Sequence, residues 1–175
     1  SPASPWRTAR DQSWNRRLLE GLRAWGTLFA PVERGRGAYS LEPIDDVGLA
    51  RPEALRTIIP FKKLLLKPRF TTVESTDDGA FREGDDNDPS PKVLFGAHTC
   101  DIHALEILDV LHLTDFVDPY YKKNREQLTV VAYGCFPDDK CFCRSMGTAN
   151  ADSGFDLGLT PIGERYLVTV ASSRG

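Results

Sequence analysis

The sequence predicts an α/β domain with a mixed, partly parallel central sheet, flanking helices, and a cysteine-rich loop at the carboxyl ends of the strands. A continuous apolar strand, "PKVLFGAH" (91–98), precedes two helical segments and a second apolar strand, "LTVVAYG" (128–134). This is the order of a crossover connection between parallel strands. Near the end of the chain, "FDLGLTPIGERYLVTVA" (155–171) predicts two strands around a turn at Pro161–Gly163, so an antiparallel hairpin completes the sheet.

The first part of the chain predicts one helix and two short strands. Residues 11–26, "DQSWNRRLLEGLRAWG", place apolar side chains at helical spacing and end on Gly26, in the position favoured after a helix. The segments "TLFAPVE" (27–33) and "GAYSLEPI" (37–44) then indicate strands about a glycine-bearing turn.

The following run, "RPEALRTIIPFKKLLLKPRFTTVE" (51–74), is apolar but interrupted by proline. Pro60 and Pro68 forbid one long helix, because proline lacks an N–H group and also restricts the residue before it. We expect only a short helix over Pro52–Ile59.

The crossover between the two apolar strands predicts two helices. The segment "CDIHALEILDVLHL" (100–113) predicts a helix whose apolar side carries Ile102, Leu105, Leu108 and Leu111. The segment "DPYYKKNREQ" (118–127) has Pro119 at the first helical position, where its missing N–H group does no harm.

Composition indicates one domain over residues 1–175, since a chain of this length with 41% apolar residues can bury one sizeable core. No stretch approaches the roughly 18 apolar residues that a membrane span requires, and the polar start lacks a secretory apolar region. We therefore expect a cytoplasmic protein without membrane insertion. The chain starts without Met and stops after a strand-like run, so we expect a piece of a longer protein.

The formal charge of −3 is concentrated in one segment. Residues 74–91, "ESTDDGAFREGDDNDPSP", hold seven acidic residues and one arginine, a local charge of −6 that leaves +3 for the rest. A stretch so rich in acids, glycine and proline predicts a mobile surface loop. The mildly basic remainder lacks the strongly basic face of a nucleic-acid-binding protein.

Four cysteines follow the ends of the two apolar strands. Cys100 begins the helix after the first strand, and Cys135 comes directly after the second. Cys141 and Cys143 lie in the loop beyond. If the strands are parallel neighbours, their carboxyl ends share one edge of the sheet, and we expect the four sulfurs to converge there.

Four thiolates suit zinc or an iron–sulfur cluster, and the lack of a secretory signal argues against disulfides. Paired zinc knuckles and the ferredoxin cysteine run are both missing, so spacing alone leaves a cluster, zinc and unligated cysteines open. The helix start at Cys100 favours a thiolate there. Lys140 and Arg144 would add positive charge around a cluster.

The histidines offer further candidates. His103 lies one helical turn after Cys100, and we expect it to hydrogen-bond near a metal site rather than to ligate. His98, at a strand end, is a possible extra ligand. Cys100 and His103 also imitate a catalytic thiol–imidazole pair, but that hypothesis leaves three cysteines unexplained. No dinucleotide-binding or Walker motif is present.

Five segments carry a family resemblance: "PFKKLLLKPRF", "VLFGAHTCDIHALEILD", "DPYYKKNRE", "CFCRSMGT" and "FDLGLTPIGERYLVTV". Together, over roughly residues 58–171, they resemble the N-terminal half of the iron–sulfur beta subunit of cytosolic sulfhydrogenases and of the corresponding iron–sulfur protein of anaerobic sulfite reductase. The ferredoxin-like domain that normally follows in such proteins is missing from this sequence, and the acidic stretch is longer than the family leads us to expect.

The resemblance implies an electron-transfer function. It implies that Cys100, Cys135, Cys141 and Cys143 bind one 4Fe-4S cluster. The domain would then relay electrons between a subunit that binds flavin and NAD(P) and a catalytic partner of the hydrogenase or sulfite reductase type, without being catalytic alone. The alternative is a zinc-stabilised structural or interaction domain.

Overall fold

A computed structural model of the chain describes residues 12–84, 90–163 and 165–173. The described residues contain three α-helices and eight strands. Their bounds in chain order are α1 Gln12–Arg23, β1 Thr27–Glu33, β2 Tyr39–Pro43, β3 Val73–Ser75, β4 Phe81–Glu83, β5 Lys92–Ala97, α2 Thr99–Leu113, α3 Pro119–Glu126, β6 Leu128–Tyr133, β7 Leu157–Ile162 and β8 Arg165–Val170. None of the helices in these ranges is long and apolar enough to cross a lipid bilayer.

Six of these strands form one mixed sheet in the order β2-β1-β5-β6-β7-β8. The four inner strands are parallel to one another, whereas β2 and β8 pair antiparallel at the two edges. The predicted α/β class and the parallel pairing of the two apolar strands are therefore confirmed. The predicted hairpin is also confirmed, although Pro161 and Ile162 belong to β7 and the turn follows them.

The sheet is buried on both faces, which explains why β5 and β6 are continuously apolar. Phe95 and Val131 face a core that includes Leu19 and Leu22 of α1. Leu94 and its neighbours face the opposite core, which α2 and α3 cover. Adjacent strand residues alternate between faces, so each inner strand contributes to both cores. The predicted first helix is confirmed over Gln12–Arg23, while Asp11 lies outside the described residues.

The helix predicted over Pro52–Ile59 is wrong. This segment is irregular, and the N–H group of Ile58 donates to the Tyr39 carbonyl oxygen, 2.8 Å away, instead of to a helical partner. A 3₁₀ turn, Phe61–Leu64, begins only after Pro60. Pro60 disfavours helical backbone at the residue before it, Ile59, and β2 supplies a hydrogen-bond partner in place of a helical one.

The acidic segment also differs from its prediction. β3 and β4 form a small antiparallel hairpin in which Glu74 lies opposite Arg82, with 2.7 Å between the carboxylate and the guanidinium. β3 and β4 are therefore paired strands at the surface, where an irregular loop was expected. The Glu74–Arg82 ion pair stabilises the pairing, and Gly79 (φ 79°) allows the turn between the strands. Residues 85–89 of the same prediction lie outside the described residues.

A bulge at Gly96 sets the direction in which β5 leaves the sheet. The pairing between β5 and β6 shifts register between Phe95 and Ala97, and Gly96 has a φ of 89°, which favours glycine. A Cβ atom at Gly96 would lie 3.2 Å from the Cα atom of Pro52 and 3.3 Å from the Cδ atom of Pro31. The bulge therefore brings β5 into close contact with the irregular 52–60 segment just before α2 begins.

We expect Gly96→Ala to lower the free energy of unfolding by about 2–3 kcal/mol, from backbone strain and from crowding against the two prolines. Urea denaturation measures the change. Gly37→Ala is the matched control, since Gly37 also has a positive φ (73°) but no atom lies within 4 Å of its added Cβ. We expect about 1 kcal/mol there, from strain alone. Equal losses in the two variants would contradict the crowding.

Candidate metal centre

The topology brings the first two cysteines to one edge of the sheet. Cys100 lies in the first turn of α2, directly after β5, and Cys135 lies two residues beyond the end of β6. β5 and β6 are parallel neighbours, with Ala97 opposite Ala132 near their carboxyl ends. The predicted meeting of these two strand ends is confirmed.

The other two cysteines lie in a loop that its own backbone turns fold. The N–H group of Cys141 donates to the Asp138 carbonyl oxygen (3.2 Å), and the N–H group of Thr148 donates to the Cys143 carbonyl oxygen (2.9 Å). Gly147, with a φ of 70°, closes the last of these turns. All four cysteines are free of disulfides.

The pKa of Cys135 depends on neighbouring thiols as well as on burial. Burial is the largest cause that raises the pKa of Cys135, and the thiols of Cys143 and Cys141 raise it further. The pKa of Cys100 is raised to about 11 by burial, then by Asp101 and by Cys135. In residues 12–84, 90–163 and 165–173, no three His, Cys, Asp or Glu side chains are grouped so that they could hold one metal ion.

The thiolate expected at Cys100 from its helix position is wrong for the chain without a ligand. Cys100 keeps solvent-exposed surface, but partial burial and the negative charge of Asp101 outweigh the hydrogen bonds that favour its ionised form. Both causes disfavour a negatively charged sulfur, so the thiol of Cys100 stays protonated at neutral pH.

We expect iodoacetamide to label Cys100 on the order of 100-fold more slowly at pH 8 than a thiol with an ordinary pKa of 9.0. The rate should rise about tenfold per pH unit up to about pH 11, because only the thiolate reacts. The Cys100 thiol correspondingly contributes stability that is fully present below pH 9.0 and is lost toward about pH 11, because the unfolded thiol ionises first. Mass spectrometry of the metal-free chain measures the rate, with a free peptide of residues 98–104 as control. A plateau at the same pH in both would contradict the raised pKa.

His98 connects the start of α2 to the end of β6 and to the irregular 52–60 segment. Its side chain is buried, with Nδ1 3.0 Å from the Tyr133 carbonyl oxygen and Nε2 3.1 Å from the Ala54 carbonyl oxygen. Carbonyl oxygens only accept hydrogen bonds, so both contacts are hydrogen bonds when both ring nitrogens carry a proton. The backbone N–H group of His98 donates to Asp101 (3.0 Å), which fixes the start of α2. The ring is thus engaged by backbone and does not reach the cysteines as a ligand.

Arg56 is a residue of this site that sequence reasoning missed. Its guanidinium pairs with Asp138, and its Nη1 atom lies 3.6 Å from the Cys141 sulfur. The Cys141 sulfur is also 3.2 Å from the Asp138 carboxylate oxygen Oδ1. The Arg56 side chain holds the pKa of Asp138 down to about 2, chiefly by hydrogen bonding. No sequence signal links Arg56 to a cysteine 85 residues away.

The three polar residues expected around the site occupy different positions. His103 Nε2 lies 2.8 Å from the Asn150 carbonyl oxygen and Nδ1 lies 3.2 Å from Glu106, so this ring connects α2 to the loop after the cysteines. Lys140 and Arg144 are exposed, and neither side chain makes a hydrogen bond or ion pair with a described residue. Their influence on a metal site stays a prediction.

A cavity of about 210 Å³ adjoins the site. Cys100 lines it, and so do Arg56, Gly96, His98 and Asp101. The cavity therefore reaches from Cys100 to Arg56, the residue that contacts Cys141. Four free thiols are a soft donor set of the kind that suits an iron–sulfur cluster or zinc, although no three of them are grouped to hold one metal ion among the described residues.

Comparison with known proteins identifies a relative. No family model and no solved structure matches the chain. Sulfhydrogenase 2 subunit beta of Pyrococcus furiosus is 35% identical over 162 residues, which is 88% of this chain. The match spans 45% of that protein, in its N-terminal part, so the chain covers about half the length of its relative. The chain is therefore a homologue of the beta subunit of sulfhydrogenase 2.

Proposed function

We propose that the chain is an electron-transfer domain of a cytoplasmic oxidoreductase complex, holding one 4Fe-4S cluster on Cys100, Cys135, Cys141 and Cys143. The observation that supports this most is the parallel pairing of β5 and β6, which brings Cys100 and Cys135 to the same edge of the sheet. The relationship to a sulfhydrogenase beta subunit supports the redox assignment.

The chain's own residues would hold the cluster and set its surroundings. The bound cluster would supply reversible one-electron storage. Each thiol must lose its proton to ligate, and burial favours the protonated form of Cys100 and Cys135. Loading therefore releases protons and becomes more favourable as the pH rises. His98 and the Gly96 bulge hold the backbone that carries Cys100.

The position of the cysteine loop supports electron exchange with other subunits. Three apolar side chains in or beside the loop are largely exposed, namely Phe136 (71%), Phe142 (70%) and Met146 (65%). A redox group held here would lie near the molecular surface, within reach of a bound protein. The partners we propose are a catalytic subunit of the complex together with one that binds flavin and NAD(P).

Metal analysis of the anaerobically purified chain tests the proposal. We expect about four iron and four acid-labile sulfide per chain, with visible absorption that bleaches when dithionite is added. One zinc per colourless chain, with unfolding on addition of a chelator, would overturn the electron-transfer function and favour a zinc-stabilised structural domain.

A further inference from the structure

We propose that Arg56 is a positioning residue for Cys141, and that Arg56 and Asp138 shift the reduction potential of the bound cluster in opposite directions. This inference rests on the proposed function. It assigns a role to a residue outside the cysteine loop, in the irregular segment between β2 and the 3₁₀ turn.

Arg56 contacts both Asp138 and Cys141. The guanidinium of Arg56 uses both terminal nitrogens on Asp138, and Nη1 is 3.2 Å from Oδ1 of that carboxylate. The same Nη1 atom is 3.6 Å from the Cys141 sulfur. Asp138 is in turn held by the Lys140 N–H group at 3.0 Å, so the pair is fixed to the cysteine loop.

The two contacts of Cys141 change when its sulfur ligates the cluster as a thiolate. A protonated Cys141 can donate to Asp138, 3.2 Å away, but a thiolate has no proton to give and repels that carboxylate. The Arg56 N–H group can still donate to the sulfur, because arginine remains charged at any ordinary pH. Ligation therefore strengthens the contact with Arg56 and weakens the contact with Asp138.

Arg56 and Asp138 have opposite effects on the reduction potential because their charges differ in sign. A cluster gains negative charge on reduction, so a nearby positive charge or an N–H donor to its thiolates favours the reduced form. Arg56 should raise the potential and Asp138 should lower it. Lys140 and Arg144, without side-chain contacts among the described residues, lack such fixed geometry.

The experiment is a potentiometric titration of the cluster-loaded chain in four variants and the wild type. At a fixed ambient potential we expect Arg56→Gln to lower the reduced-to-oxidised ratio about tenfold, equal to about 59 mV for one electron. Asp138→Asn should raise the ratio, and the double variant should return close to the wild type. Arg144→Gln removes the same charge from the cysteine loop, and we expect less than about a twofold change there, since only Arg56 of the two has a nitrogen in contact with the Cys141 sulfur among the described residues. Equal shifts for Arg56→Gln and Arg144→Gln, or shifts of the same sign for Arg56→Gln and Asp138→Asn, would overturn the inference.

A second readout needs no cluster and separates this inference from the proposed function. In the metal-free chain, urea denaturation of Arg56→Gln, Cys141→Ala and the double variant forms a double-mutant cycle. We expect the loss of stability in the double variant to be smaller than the sum of the two single losses, because each substitution removes the same contact. Arg144→Gln in place of Arg56→Gln is the control, and its loss should add to that of Cys141→Ala. A non-additive loss in a chain that binds only zinc would overturn the electron-transfer function but support the Arg56–Cys141 contact. Additive losses in both cycles would overturn the contact itself.

Discussion

Replacing Cys135 with serine should lower the iron content from about four atoms to fewer than about one per chain. Cys135 is one of the four proposed ligands and follows β6 at the sheet edge that it shares with Cys100, so its loss removes a quarter of the ligand set. A serine hydroxyl is a harder ligand than a thiolate and holds iron–sulfur clusters poorly. Iron and sulfide analysis of the anaerobically purified variant measures the effect.

Cys141→Ser and Cys143→Ser should also abolish a complete cluster, because each removes one of four ligands. Ser145→Ala is the matched control, since it changes an exposed residue of the same loop that carries no thiol. Far-UV circular dichroism shows whether each variant keeps its fold. Stoichiometric iron and an unaltered visible spectrum in any of the cysteine variants would contradict the assignment of four cysteine ligands.

Replacing His98 with leucine should lower the free energy of unfolding by about 3 kcal/mol. The imidazole is buried and contacts the carbonyl oxygens of Ala54 and Tyr133 through its two nitrogens. Leucine fills similar space but takes away a hydrogen-bond donor from buried carbonyl groups. Urea denaturation of the metal-free chain measures the loss.

The same substitution should weaken cluster retention, because His98 connects the strand ends that carry Cys100 and Cys135. His103→Leu is the control, since its ring is only half-buried and contacts Asn150 and Glu106 at the surface of α2. We expect His103→Leu to lower the free energy of unfolding by less than about 1 kcal/mol. If the two histidine variants lose equal stability, His98 does not have the structural role described above.

The sequence by itself determined the α/β class and the place of the cysteines in it. The apolar runs of β5 and β6 can be satisfied only by burial on both faces, and that pattern is visible residue by residue. Pro119 marked the start of α3 for an equally local reason, its missing N–H group. Because parallel strands end at one edge of a sheet, the meeting of the strand ends before Cys100 and Cys135 followed from the order of elements alone.

Tertiary structure decided the polar surroundings of those cysteines. Arg56 reaches Asp138 and Cys141 from more than 80 residues away, and His98 finds its carbonyl partners in two separate segments. The sequence and the folded structure favour different protonation states of the Cys100 thiol. The start of a helix favours a thiolate, but burial, and then the charges of Asp101 and Cys135, favour the protonated thiol. Such contacts depend on which loops the folded sheet brings together, and no local periodicity encodes that.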